Sequence, residues 1–74
     1  MLTSEEISGQ FDVSHLFYHE TLKDMVIYRT SIPHILATVI KIRENWYEWE
    51  LRDGDRRFIT RNMPTEEQIK SFSE

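Results

Sequence analysis

With 74 residues and no cysteine, the chain has room for one domain and lacks disulfides, thiolate metal sites and cysteine nucleophiles. Its apolar fraction of 39% and aromatic fraction of 12% are too high for a disordered segment, and no apolar run reaches the ~18 residues of a membrane span. The net charge of -4 argues against a grip on nucleic-acid phosphates, which goes with a basic excess.

Met1 to Glu6 place acids where a secretory signal would place a basic region and then an apolar one. That predicts a cytoplasmic protein, complete from Met1, with no membrane partner. A core this small leaves a stability margin of about 3–5 kcal/mol, so a homodimer or an obligate partner stays open.

Thr3 followed by Glu6 has the spacing of a capping box, and Ile7 begins an apolar stripe, which predicts a short N-terminal helix broken near Asp12. Residues 14–28 read two ways. Ser14 could cap a second helix turning Phe17, Leu22, Met25 and Val26 inward, and Met25 to Tyr28 also fits a strand. Pro33 pushes Ile32 out of helical geometry. Ile35 to Ile42 is β-branched and apolar, as in a strand. Trp46 to Arg52 alternates, Asp53-Gly54 is a strong hairpin signal, and Arg57 to Met63 returns as a third strand. Thr65 to Gln68 is another capping box, and Ile69 with Phe72 gives the last helix a small apolar stripe.

Two-residue turns at Asp53-Gly54 and Glu44-Asn45 register these strands. Trp49 then faces Phe58 and Ile40, Ile42 faces Tyr47, Glu50 faces Arg57, and Lys41 faces Glu48. One side gathers Leu36, Ile40, Ile42, Tyr47, Trp49, Leu51 and Phe58. The other gathers charge pairs, with Ile35, Val39, Trp46 and Ile59 among them. The predicted fold is α+β: a three-stranded antiparallel β-meander with N-terminal helical segments and a short C-terminal helix, spanning residues 1–74 as a single small domain.

Catalytic and metal signals are weak. His15 and His19 are four apart, which on a helix aligns both rings, but without thiolates or a third ligand the plainer reading is surface histidines. Gly9 and Gly54 are the only glycines and form no phosphate-cradling loop, so neither metal nor cofactor is expected. Ser14 beside His15 lacks a nucleophile elbow, and Glu48 and Glu50 read as solvated charges. The chain is therefore expected not to be an enzyme.

The order Thr-Ser-Glu-Glu-Ile-Ser-Gly-Gln-Phe-Asp-Val-Ser from Thr3 resembles the opening of a bacterial helix-turn-helix. The resemblance covers about twenty residues. It implies that Ile7 and Phe11 are core positions of a first helix and that Asp12-Val13-Ser14 is the turn. Tyr18 and Leu22 would pack inward, and the later hairpin would serve as a wing. Ser8 and Asp12 depart from the alanine and glycine usual in that family. The second helix would offer His15, His19 and Lys23 to DNA, beside Glu20 and Asp24, a poor set for reading base edges.

A second surface is the outer side of the meander, where Trp46, Arg57, Ile59 and Arg61 fall together with Arg52 and Arg56 nearby. An aromatic and a basic cluster could stack a single strand. An aromatic anchor ringed by charge equally suits a protein interface. The favoured expectation is a small intracellular adaptor, regulator or inhibitor that binds another protein through Trp46, Arg57, Ile59 and Arg61. A helix-turn-helix DNA-binding regulator using residues 3–25 is the alternative.

Overall fold

The Thr3 side chain accepts a hydrogen bond from the Glu6 amide at 3.2 Å, which starts α1, Ser4–Gln10. Five strands follow in the computed structural model, which describes residues 1–74: β1 Phe17–Leu22, β2 Met25–Arg29, β3 Leu36–Arg43, β4 Trp46–Asp53 and β5 Arg56–Thr60. α2, Glu66–Ser73, closes the chain, with Thr65 and Gln68 making both arms of its capping box. No helix is long and apolar enough to cross a membrane.

The strands form one antiparallel sheet in the order β1-β2-β3-β4-β5. The α+β class holds, but the sheet has five strands rather than three. Residues 17–29 supply the two extra strands as a hairpin. Val26 and Tyr28 are buried on one side of β2 and Ile27 lies on the other, a two-residue period that no helix can satisfy. Lys23, at φ +52, makes the tight turn between β1 and β2.

One side of the sheet carries the core. Val26, Tyr28, Ala37, Val39, Tyr47, Trp49 and Leu51 are buried there with Ile7 of α1 and Ile69 of α2. Phe11 lays its ring edge-on to both Tyr47 and Trp49, with centroids 5.4 and 5.3 Å away, a favoured aromatic geometry. Both helices therefore pack on this same side. Ahead of β3, the Thr30 hydroxyl accepts from the Ile32 amide at 3.1 Å and lies 3.0 Å from the Ile35 carbonyl, which satisfies a buried polar group in an irregular segment.

The register corrects the expected faces. The β3–β4 turn does fall at Glu44-Asn45, closed by Arg43 opposite Trp46. Only Asn45 adopts the left-handed conformation, at φ +61, and the pairing slips by one residue between Lys41 and Arg43. Upstream of that bulge Val39, not Ile40, lies opposite Trp49. A slip of one exchanges the two faces of a strand. Leu36 and Ile40 therefore join the outer side, while Val39 and Ile35 are buried in the core. In the β4–β5 hairpin, Asp53 opposes Arg56 around Gly54-Asp55, with Gly54 at φ +63. Phe58 then opposes Leu51 rather than Trp49. That slip leaves Phe58 on the predicted side, although 43% exposed.

Candidate protein-binding surface

The side of the sheet away from the helices is built by alternate residues of all five strands. Met25, Ile40 and Glu48 lie abreast on β2, β3 and β4. In the next row Glu20, Ile27, Thr38, Glu50 and Ile59 cross the whole sheet. Phe17, Arg29, Leu36, Arg52 and Arg57 make the row beyond. Ile27 and Thr38, paired at the centre, are buried although no helix covers them, so the surrounding side chains close over the middle of the face. Its margins stay open: Phe17, Leu22 and Ile59 are 57%, 54% and 56% exposed.

At one end of β4 the Trp46 ring lies beneath two guanidinium groups. Arg43, its cross-strand neighbour, sits 5.0 Å from the ring centroid, and Arg61, just past β5, sits 4.6 Å from it. Both distances fall within cation–π range. Beside them a shallow recess of about 430 Å³ opens towards the end of α1, lined by Gln10 and Phe11 together with Asn45, Trp46, Tyr47, Arg61 and Asn62.

The expected charge pairs across the sheet do not form. Glu50 pairs with Arg52 on its own strand at 3.5 Å, because the observed register sets Glu50 opposite Ile59 and Arg57 opposite Arg52. Lys41 turns to the helix side and bonds Glu6 at 2.9 Å instead of meeting Glu48. Arg29, Arg43, Arg57 and Arg61 have no carboxylate within ion-pairing distance. Of the side chains singled out from sequence, Trp46, Arg57, Ile59 and Arg61 all belong to the outer side. Arg43 and Arg61 lie over the Trp46 ring.

The helix-turn-helix positions are not brought together. His15 precedes β1 and bonds the Pro64 carbonyl through Nε2 at 2.8 Å. His19 sits in a β1 irregularity, where its Nδ1 accepts from Arg29 Nε at 3.3 Å. Lys23 is in the hairpin turn. A second helix, and with it a shared recognition face, is absent because residues 17–22 are a strand. The two histidines are likewise not a helical pair, and no group of three metal-ligating side chains gathers around them.

Sequence reasoning missed Phe17, Leu22, Met25, Leu36, Ile40 and Arg43. The two-residue alternation around Tyr28 could have revealed the first three. Asn45, which tolerates the left-handed conformation, could have signalled the bulge that turns Leu36 and Ile40 outward. Comparison with protein-family models, curated proteins and solved structures finds no match.

Proposed function

We propose that this chain is a non-enzymatic binding module that occupies a surface of another protein, as an adaptor, regulator or inhibitor, through the helix-free side of its sheet. One observation carries the reading. Both helices and the core lie on one side of a five-stranded sheet, while the other side keeps Phe17, Leu22 and Ile59 more than half exposed. A single sheet layer buries one of its faces against its own helices and leaves the other for contact. Apolar side chains set among arginines, with an aromatic anchor in Trp46, match the composition of protein interfaces.

The test is a pull-down from the native host with the double variant Phe17→Ser, Ile59→Ser beside the wild type. Both positions are exposed, so the variant keeps its fold, which circular dichroism checks. The wild type retains a stoichiometric protein that the double variant loses, and Phe58→Ser, on the helix-bearing side, keeps it. Equal retention by the double variant rejects the surface.

A further inference from the structure

Charge is divided unevenly between the two sides of the sheet. The outer side and its Trp46 end hold Arg29, Arg43, Arg52, Arg57 and Arg61 against Glu20, Glu48 and Glu50, a formal +2. The rest of the chain carries -6, which completes the net of -4. Five of the six arginines thus lie in the outer rows or against Trp46 at the end of β4. A protein of acidic composition that concentrates its arginines on one face, four of them with no ion partner, has a face complementary to negative charge.

The arginines form two groups. Arg43 and Arg61 flank Trp46 at one end of β4, and Arg29, Arg52 and Arg57 form a row at the other. Trp46 and Arg52 are six residues apart on one strand, which sets the groups ~20 Å apart. Between them lie Ile40 and Ile27 on one half, and Glu48 and Glu50 on the other. We infer that the partner is a polypeptide surface bearing two carboxylate clusters about 20 Å apart with an apolar stretch between them, one cluster for each arginine group. The inference rests on the binding surface proposed above.

Two features favour polypeptide over nucleic acid. Apart from Phe17 and Trp46, the apolar side chains of this face are aliphatic, whereas single strands are held by stacking on aromatic rings. Glu48 and Glu50 also occupy the middle of the face, where a continuous phosphate backbone would meet them. An acidic-apolar-acidic segment avoids that repulsion and pairs only at the ends.

The full chain, labelled with nitrogen-15, is titrated at low ionic strength with the peptide acetyl-Glu-Glu-Val-Leu-Val-Leu-Glu-Glu-amide. The same peptide with lysine for every glutamate, and a thymidine octanucleotide, are run in parallel. The acidic peptide shifts the Trp46 indole resonance and the amides around Arg43, Arg57 and Arg61. Its binding weakens at physiological salt, and Arg43→Gln with Arg61→Gln weakens it by about fivefold or more. Equal affinity for the acidic and basic peptides overturns the charge assignment while leaving the surface intact. Silence towards the acidic peptide, or shifts confined to the helix side, also overturns it. Tighter binding of the oligonucleotide at these arginines replaces polypeptide with nucleic acid. Failure of the binding surface itself is read separately, in the retention of the Phe17→Ser, Ile59→Ser variant.

Discussion

The Tyr47 hydroxyl donates to Glu6 Oε2, joining β4 to α1 across 41 positions of sequence, and Lys41 Nζ reaches the same oxygen at 2.9 Å. The Tyr47 bond, and then the Lys41 bond, hold the Glu6 carboxyl below its ordinary value of 4.5. In return Glu6 raises both Lys41 and Tyr47. Ile7 is the only buried residue of α1, so this three-way contact is the main polar tie between the helix and the sheet.

A carboxyl lowered on folding contributes stability that is complete above its unfolded value and is lost as pH falls through its folded one. The contribution of Glu6 is therefore complete above about pH 4.5 and declines as pH falls below it. Tyr47 and Lys41, both raised, give up theirs in alkali, as pH climbs through folded values above 10. Glu6→Gln lowers the melting temperature near neutral pH and flattens the fall in acid. A variant with the same acid slope as the wild type would show the contact to be idle.

Tyr28 stacks on Trp49 with ring centroids 6.0 Å apart, and its hydroxyl is buried without a protein hydrogen-bond partner. That burial pushes its phenol above the ordinary value of 10.0. Removing a buried hydroxyl that lacks a partner relieves a desolvation cost of about 1 kcal/mol or more. Tyr28→Phe is accordingly expected to be stabilising by about 1 kcal/mol in urea denaturation. A loss of that size would reveal a bond to the hydroxyl.

The bulge between Lys41 and Arg43 makes an adjacent pair of β3 residues unequal. Val39 is fully buried opposite Trp49, and Ile40 lies on the other side beside Met25 and Glu48. Val39→Ala should cost about 2 kcal/mol through lost burial and a residual cavity. Ile40→Thr should cost under about 1 kcal/mol, in line with a surface exchange. The opposite ranking in chemical denaturation would restore the bulge-free register.

Lys23 holds a left-handed backbone at φ +52, which strains a residue with a Cβ. Lys23→Gly is expected to be stabilising by about 0.5–1 kcal/mol, the strain relief exceeding the added chain entropy. Thermal melts decide it, and a lower melting temperature would mean that the lysine side chain supports the turn.

Legibility in the sequence followed the strength of local signals. Thr3 and Thr65 announce their helices because capping is settled within four residues. β4 is legible because Tyr47, Trp49 and Leu51 alternate with charge. β1 is not: its exposed Phe17, Tyr18 and Leu22 and the slip at His19 erase the two-residue period, and its apolar residues then pass for a helix stripe. The face assignment of β3 turned on a single inserted residue, Ile42, which composition cannot reveal because Val39 and Ile40 are chemically alike. Trp46, Arg57, Ile59 and Arg61 stay together regardless, since the β5 slip of two leaves every side chain on its original face.

Each strand bonds to the strand next to it in sequence, from β1 through β5, so no pairing waits for a distant segment to arrive. Contact order is low for a sheet protein, and chains of that kind fold in about milliseconds, well ahead of sandwiches and barrels. The hairpins can zip in succession, with the terminal helices docking onto a sheet already formed. The exposed margin residues of the outer face therefore spend little time in a partly paired chain, where they would be most prone to aggregate.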